Sequence, residues 1–305
     1  MSELAPILLF TYKRLDTLKQ TIYALQQNYL ASESELFIFS DAAKTDYDID
    51  IIKKVRAYLS TINGFKRVTI YEAVSNKGLA NSIIDGVTQI IKQYEKVIVL
   101  EDDLKTTPNF LSYMNSSLDT YEYVQHVFSV SGYSFNLKKM PDNESDAYFL
   151  NRGWSWGWST WKDRWNKVDW LVEEYPDFCK SKTARKDFAK GGSDLNKMLK
   201  KQMTGKLDSW AIRWFYHQLK IHGLTVYPTL SKVYNNGFDK DATHNTGSSK
   251  RYQPLMDSEY RKQFIFPDEI HPNTFYQNQF KKKMGIRARI ISKVEGIFKQ
   301  IFKFI

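Results

Sequence analysis

Three consecutive acidic residues, Glu101, Asp102 and Asp103, follow the apolar run Val97–Leu100. Carboxylates this close together repel one another unless a cation shares their surroundings. Mg²⁺ and Mn²⁺ are commonly held by one or two carboxylates, with water and phosphate oxygens completing the shell. An ion held there could neutralise the charge on a departing diphosphate. The competing interpretation is a solvated acidic turn before the helix predicted at residues 109–120, but the buried strand in front of the acids favours the metal site.

Polar residues also follow the other three predicted strands of the first half. They are Thr11, Tyr12 and Arg14 after the first strand, Ser40 and Asp41 after the second, and Ser75, Asn76 and Lys77 after the third. In a parallel sheet the carboxyl ends of the strands meet at one edge, where ligands bind. An acid after the second strand suits a base or ribose, and Arg14 or Lys77 could hold phosphate oxygens. Each alone would be an ordinary loop residue, but together they predict a nucleotide site.

Five tryptophans lie close together in the middle of the chain: Trp154, Trp156, Trp158, Trp161 and Trp165. Sugars present C–H faces that stack on indole rings, so we expect the glycine-flanked residues 154–158 to form an acceptor or donor platform and the later pair to be structural. Core packing is the competing interpretation, because tryptophan is usually buried. His244, in the polar stretch 235–250, is either a solvated loop residue or a group that reaches a diphosphate.

The elements that must position these residues alternate along the first half of the chain. Strands are predicted at residues 7–10, 36–39, 67–72 and 97–100, and helices at 16–27, 48–59 and 78–94. This alternation indicates an α/β fold with a Rossmann-like, mostly parallel sheet and helices on both faces. The fourth apolar run, which has no polar residue, predicts a central strand.

The positive charge of the chain is concentrated at one end. The 305 residues carry a formal net charge of +10, and residues 281–305 alone hold eight Lys or Arg against one acid. A localised charge of this kind, without any zinc-finger, recognition-helix or RNA-recognition pattern, does not predict a nucleic-acid partner. The single cysteine, Cys179, excludes an internal disulfide and favours a reducing, cytoplasmic setting.

The same C-terminal segment has the pattern of an amphipathic helix. Its apolar residues recur at helical spacing: Ile286, Ile290, Ile291, Val294, Ile297, Phe298, Ile301, Phe302 and Ile305. Basic amphipathic helices lie in membrane interfaces, so we expect peripheral binding to an anionic membrane surface, on the cytoplasmic face of the inner membrane. The alternative is a helix that packs on the body or on a second subunit, and the basic flank at residues 281–283 favours the membrane.

Taken in order, these motifs resemble nucleotide-sugar glycosyltransferases of the GT-A fold. More narrowly, they are similar to the N-acetylglucosaminyltransferase I-like group and its bacterial surface-polysaccharide relatives. The resemblance covers roughly residues 5–245. It rests on Pro6–Arg14, Phe39–Asp41, Asn76–Ala80, Val97–Asp103, Gly153–Gly157, Asp208–Trp210 with Arg213, and Tyr227–Gly237.

The resemblance implies a role for each matching residue of the donor site. Asp103 would ligate Mn²⁺ or Mg²⁺, and Asp102 would lie beside the ribose or sugar of the donor. Arg14 and Asp41 match positions that hold the nucleotide, with Asp41 near the base. Asn76 stands where animal members of the group have a histidine.

Asp208 matches the general base of the group, which implies inversion at the anomeric carbon. Without the resemblance, the favoured role of Asp208 is to cap the helix predicted after it, although a cap residue can also present its carboxylate to a cleft. The implied reaction moves a sugar from a nucleotide-sugar, with UDP-sugars favoured, to a glycan acceptor that could be lipid-linked. The chain would then comprise a nucleotide-sugar-binding region at 1–130, an acceptor-side and catalytic-base region of the same domain at 131–280, and a membrane-associating helix at 281–305.

Two other classes of protein share some of these features. A sugar nucleotidyltransferase has a similar sheet and acidic metal site, but it normally carries a glycine-rich basic loop after the first strand, where residues 11–16 contain no glycine. A non-catalytic sugar-binding or membrane-tethering protein would have a decayed site. The intact acids at residues 101–103 and 208 argue against decay.

Overall fold

The computed structural model describes residues 3–237 and 249–301, with side chains for residues 3–237 and 250–295. Ten strands lie in these ranges: β1 (Ile7–Thr11), β2 (Glu35–Ser40), β3 (Arg67–Glu72), β4 (Lys96–Glu101), β5 (Leu104–Thr106), β6 (Val127–Ser131), β7 (Ala147–Leu150), β8 (Trp158–Trp161), β9 (Leu224–Pro228) and β10 (Val233–Asn235). The α-helices are α1 (Leu15–Gln26), α2 (Ile49–Leu59), α3 (Leu79–Tyr94), α4 (Phe110–Thr120), α5 (Lys162–Trp165), α6 (Tyr175–Lys180), α7 (Lys182–Ala189), α8 (Leu195–Met203), α9 (Trp210–Lys220), α10 (Thr274–Met284) and α11 (Ile286–Ile301).

Eight strands form one sheet in the order β3-β2-β1-β4-β8-β6-β9-β7. Strands β1 to β4 are mutually parallel, and β6 and β9 run in the same direction because each is related to β4 through the antiparallel strand β8. Only β8 and β7 run the other way among these eight strands. The α/β fold with a mostly parallel sheet is therefore confirmed.

Alternate residues of the central strands supply two separate apolar layers. Ile7 and Leu9 of β1 point into the layer that contains α1 and α4, while Leu8 and Phe10 point into the layer that contains α3 and α9. Residues 97–100 of β4 are fully buried because helices cover both faces. Each such side chain contributes roughly 1.5–3 kcal/mol by leaving water, so the two apolar layers hold the helices against the two faces of the sheet.

A short second sheet brings a distant segment to the end of β4. Strand β10 pairs with β5 in antiparallel register, with Asn235 opposite Leu104. The next residue, Asn236, donates its backbone N–H to the carbonyl oxygen of Asp103 at 2.8 Å. Residues 235–237 are thereby placed directly against the acidic turn.

The C-terminal segment consists of two helices. Residues Lys281–Lys283 belong to the last turn of α10, and Gly285 separates it from α11. The amphipathic helix therefore begins at Ile286 and not at residue 281. Within the described ranges no helix combines the length and apolar character required to cross a membrane.

Candidate active site

The acidic turn after β4 is held by one arginine. A single nitrogen of Arg14, Nη2, lies 2.8 Å from Oδ1 of Asp102 and 2.8 Å from Oδ2 of Asp103. Both carboxylates are buried, and Arg14 keeps about a fifth of its side chain exposed. Arg14 immediately precedes α1, so the end of β1 and the end of β4 are joined by these ion pairs. The polar residues predicted after the first strand and the acids predicted after the fourth strand therefore meet at one edge of the sheet.

Negative charge at this turn exceeds the positive charge that the described residues bring to it. Burial, and then Asp103 and Asp102, raise the pKa of Glu101 to about 8, against the opposing effect of Arg14. Burial and Asp102 likewise raise the pKa of Asp103, although Arg14 opposes the shift. Such a turn is electrostatically suited to a further cation.

The carboxylates of the acidic turn could supply only part of the coordination shell of a divalent metal, with a substrate and water supplying the rest. No group of three or more His, Cys, Asp or Glu side chains with metal-binding geometry occurs among the described residues. Mg²⁺-type ions need only one or two carboxylates when phosphate oxygens and water complete the shell. Oδ1 of Asp103 accepts no hydrogen bond from another side chain in the described ranges, which leaves it for such an ion.

Asp102 is fixed by the end of β1. Its Oδ2 accepts hydrogen bonds from Thr11 Oγ1 at 2.9 Å and from the backbone N–H of Tyr12 at 3.2 Å. With Arg14 on Oδ1, three of about four acceptor positions of this carboxylate are used. One position on Oδ1 remains for a hydroxyl group.

Asp41 organises the turn that precedes α3. Its Oδ1 accepts from the backbone N–H groups of Ala42 at 2.8 Å and Lys77 at 2.9 Å. Its Oδ2 accepts from Asn76 Nδ2 at 3.1 Å and from the backbone N–H of Gly78 at 3.0 Å. Four donors use the whole acceptor capacity of a carboxylate, so Asp41 positions the turn and has no acceptor site left for a nucleotide base.

The side chains of Asn76 and Lys77 are also turned to partners within the protein. Asn76 Nδ2 donates a second, shorter hydrogen bond of 2.7 Å to the carbonyl of Ala42. The ammonium of Lys77 pairs with Asp85 on the exposed side of α3, at 2.8 Å. The Lys77 ammonium thus does not point towards the acidic turn. The sequence had suggested that it could hold phosphate oxygens there.

Asp208 lies against the same turn, on the other side of Gly78. The cap of α9 is the neighbouring Ser209, whose hydroxyl accepts from the backbone N–H of Ile212 at 3.4 Å. The Asp208 carboxylate is therefore not used as a cap, and its Oδ2 would lie 3.0 Å from a Cβ built on Gly78. Burial lowers the pKa of Arg213 and Asp208 opposes this shift, so the two charged groups are neighbours. Asp208 is exposed, as a group that contacts a substrate must be.

A chain of contacts links Asp208 to the acidic turn. Asp41 accepts from Gly78, and the backbone N–H of Asp41 donates to the carbonyl of Thr11 at 3.1 Å. Thr11 in turn bonds to Asp102. Residues from five separate segments of the chain are thus placed along one edge of the sheet.

The predicted tryptophan platform is largely core. Trp158 is 1% exposed and is enclosed by Trp165, Trp210 and Trp214, with ring centroids 4.7–5.7 Å away, so its ring offers no face to a sugar. Trp154 is 7% exposed and stacks on a buried tyrosine. Trp156 alone of the three is partly exposed. His244 lies outside the described residues.

Gly237 is a residue of the site that the sequence pattern did not single out for a role. A Cβ at this position would collide with the Asp103 carboxylate and lie 3.0 Å from Arg14 Nη1. Only glycine therefore allows this segment to close over the acids. The available signal was a glycine two residues after β10, at the end of the motif at residues 227–237 that supports the family resemblance.

Comparisons with known proteins find solved structures that match this chain weakly, and no sequence relatives. No protein-family model matches the chain. No curated protein is similar to it in sequence. Structures of S. aureus TarS residues 1–349, alone and with UDP, match at TM-scores of 0.42 and 0.40, with 10% identity over 76% and 75% of the chain. The chain spans 60% of the length of those TarS structures.

The mannosyltransferase PcManGT from Pyrobaculum calidifontis, in complex with GDP-Man and Mn²⁺, matches at a TM-score of 0.36 with 11% identity, over 56% of the chain and 46% of its own length. Because these identities and TM-scores are low, the function of this chain is inferred below from its own residues.

Proposed function

We propose that this chain is an inverting, metal-dependent glycosyltransferase that moves a sugar from a nucleotide-sugar to a hydroxyl group of a glycan acceptor. One observation carries the proposal. The Arg14–Asp102–Asp103 cluster lies along one edge of the sheet with the carboxylate of Asp208, which does not cap α9, and the two are joined through Asp41 and Gly78. A transfer reaction needs a cation-stabilised leaving group and a base for the acceptor, and these are the two kinds of group present. The sequence resemblance favours a UDP-sugar as the donor.

The base step belongs to Asp208. Its carboxylate takes the proton of the acceptor hydroxyl while the hydroxyl oxygen bonds to the anomeric carbon of the sugar. The bond from that carbon to the diphosphate oxygen breaks, and its electron pair leaves with the diphosphate. Because attack and departure occur on opposite faces of the carbon, the configuration there is inverted.

The leaving-group side belongs to Asp102, Asp103 and Arg14. Asp103, with Asp102 beside it, would hold Mn²⁺ or Mg²⁺, and the ion when bound supplies charge neutralisation to the diphosphate. The free acceptor position of Asp102 suits a ribose or sugar hydroxyl. Arg14 fixes both carboxylates before substrate arrives, so little reorganisation is needed when the nucleotide binds.

Calorimetric titration with a panel of nucleoside diphosphates and nucleotide-sugars, with Mn²⁺ and with chelator, tests the donor site. We expect metal-dependent binding of one nucleotide by the unaltered chain, loss of that binding in Asp103→Asn, and no change in Asp50→Asn, which replaces an exposed acid on α2. A well-folded chain that binds no nucleotide would overturn the transferase proposal. It would leave a sugar-binding or membrane-tethering protein.

We further propose that α11 places the enzyme on an anionic membrane surface, on the cytoplasmic face of the inner membrane, where its acceptor could be lipid-linked in surface-polysaccharide synthesis. The described part of α11 turns its apolar side away from the body. Ile286, Ile290, Ile291 and Val294 are 44–65% exposed, whereas Ser292 is buried. Exposed Lys281, Lys282 and Arg287 lie close to this apolar row along the chain. An exposed apolar row with basic neighbours is complementary to an anionic lipid surface.

A further inference from the structure

Three arginines from separate segments lie near one aspartate. Arg152 follows β7, Arg251 lies in the 3₁₀ turn Ser249–Tyr252, and Arg289 lies on α11. Burial lowers the pKa of Arg251; Asp194 raises it, and Arg289 and Arg152 lower it further. Among the described residues, the charged side chains with the largest effect on the pKa of Arg251 are thus two other arginines and a single acid.

That acid is already fully engaged by one of the arginines. Arg152 makes a bidentate pair with Asp194, with Nη1 3.1 Å from Oδ1 and Nη2 3.0 Å from Oδ2. Arg289 Nη1 donates to the hydroxyl of the adjacent Ser193 at 3.2 Å. Among the described residues no salt bridge is made by Arg251 or Arg289. Two of the three positive charges are therefore not neutralised.

Several buried hydrogen-bond donors in the same neighbourhood have no acceptor. Arg251 Nε and Nη1, Arg152 Nε and Trp154 Nε1 are buried and make no hydrogen bond within the described part of the chain. Arg152 and Trp154 are themselves 5% and 7% exposed, and the guanidinium of Arg152 lies 5.4 Å from the Trp154 ring. A buried donor that loses water and gains no acceptor is unfavourable, so four such atoms together indicate a missing acceptor.

Tyr252 and Tyr133 place Arg251 beside the other two donors. The Arg251 guanidinium lies 4.3 Å from the ring of Tyr252, and that ring lies 6.4 Å from Trp154. Tyr133 donates its hydroxyl to the carbonyl of Tyr252 at 2.8 Å and stacks on Trp154 at 5.1 Å. The unpaired atoms therefore belong to one packed cluster.

We propose that Arg251, Arg289, Arg152 and the indole N–H of Trp154 form a binding site for a phosphate group. A tetrahedral oxyanion supplies several acceptor oxygens and negative charge at once, which matches unpaired donors and excess arginine charge. The phosphate is either free in solution or the head group of a lipid. The site joins α11 to the body, and it does not rest on the function proposed above.

Titration of the full chain with inorganic phosphate, in chelator to exclude metal-bridged binding at the acidic turn, tests this site. We expect phosphate to bind and to raise the midpoint of thermal unfolding. Arg251→Gln should weaken phosphate binding by about tenfold or more, since it removes a charge-assisted hydrogen bond. Arg289→Gln should weaken it as well. Arg287→Gln, which replaces an exposed arginine of the same helix, is the matched control and should bind as the unaltered chain does.

Comparing the stability of Arg251→Gln with that of the unaltered chain in the absence of phosphate separates a structural role of Arg251 from ligand binding. If the arginines repel one another in the empty site, Arg251→Gln will be no less stable than the unaltered chain when phosphate is absent, and it will gain less stability when phosphate is added. If the unaltered chain shows no response to phosphate, or Arg251→Gln responds equally, the proposal is overturned and the unpaired donors bind water only.

The source of the phosphate is distinguished by vesicles of phosphatidylcholine with and without phosphatidic acid. Weaker binding to the vesicles that contain phosphatidic acid by Arg251→Gln than by Arg185→Gln, which replaces an exposed arginine on α7, would identify a lipid phosphate as the ligand. Loss of free-phosphate binding alone would identify a soluble one. Either result supports the site.

Discussion

Asp208 and Ser209 are adjacent residues whose roles the structure separates. The Ser209 hydroxyl caps α9, while the Asp208 carboxylate remains exposed beside Gly78. We expect Asp208→Asn to lower the turnover number by ~10²–10⁴-fold, the usual contribution of a general base, with donor affinity unchanged. Transfer rates and calorimetric donor binding measure the two effects.

Ser209→Ala is the control for that prediction. Loss of the cap should reduce the free energy of unfolding by about 1 kcal/mol and leave most of the activity. Full turnover by a folded Asp208→Asn variant would remove Asp208 from the mechanism.

The side chains at the sheet edge show what the sequence could and could not predict. Parallel strand ends bring residues 11–14, 41, 76–78 and 101–103 together, and that much followed from alternation alone. The contacts of each side chain, however, depend on partners that are distant in the sequence, and no local sequence pattern specifies them. Asp41 is saturated by four donors, and the Lys77 ammonium is paired with Asp85 on α3.

At the scale of elements, the start of α3 joins the two halves of the site. Gly78 has φ 75° and ψ 161°, a conformation that is essentially restricted to glycine. Its N–H donates to Asp41, and a Cβ at this position would lie 3.0 Å from Asp208 Oδ2. We expect Gly78→Ala to lower the free energy of unfolding by roughly 1–3 kcal/mol and also to lower turnover, because the added methyl displaces Asp208, the proposed base.

Gly64→Ala provides a matched control, since Gly64 also has a positive φ, of 85°, but a Cβ there would make only ordinary contacts 3.6 Å or more away. Chemical denaturation and transfer rates on both variants separate the backbone effect from the effect on the site. Equal losses of activity in the two variants would show that Gly78 acts through stability alone.

Elements with strong periodicity were predicted within a few residues, and those fixed by long-range contacts were not. The predicted strand at residues 67–72 coincides with β3, and the predicted helix at 78–94 begins one residue earlier than α3. By contrast, Trp158 packs among three other tryptophans that lie on α5 and α9, so sequence spacing could not show that its ring is enclosed. Gly237 reaches Asp103 only through the pairing of β10 with β5.

At the scale of the whole molecule, the proposed functions occupy different parts of the chain. The proposed transfer site lies along the carboxyl edge of the central strands, and the proposed phosphate site lies where α11 meets the 3₁₀ turn at residues 249–252. The polar side of α11, with Arg289 and Ser292, faces the body, and its isoleucines face outward. A membrane on the isoleucine face would therefore not compete with the contacts that hold the helix in place.

Flotation with lipid vesicles tests this arrangement. We expect the full chain to bind vesicles that contain phosphatidylglycerol and not pure phosphatidylcholine, with binding that weakens as salt screens the basic residues. Replacing Ile290 and Ile291 together by serine should lower binding at least about tenfold, because each isoleucine transferred from water contributes roughly 1.5–3 kcal/mol. Metal-dependent nucleotide binding should not change.

Val74→Ser with Leu171→Ser is the control, since it also removes two exposed apolar side chains, but from the body of the protein. Equal vesicle binding by the α11 variant and the control would contradict membrane docking through this face. If the unaltered chain then sedimented as a dimer and the α11 variant as a monomer, the isoleucine row would be an interface between two copies. Loss of vesicle binding in the α11 variant alone would instead fix the orientation of the molecule, with the outer side of α11 against the lipid and the phosphate site directly behind it.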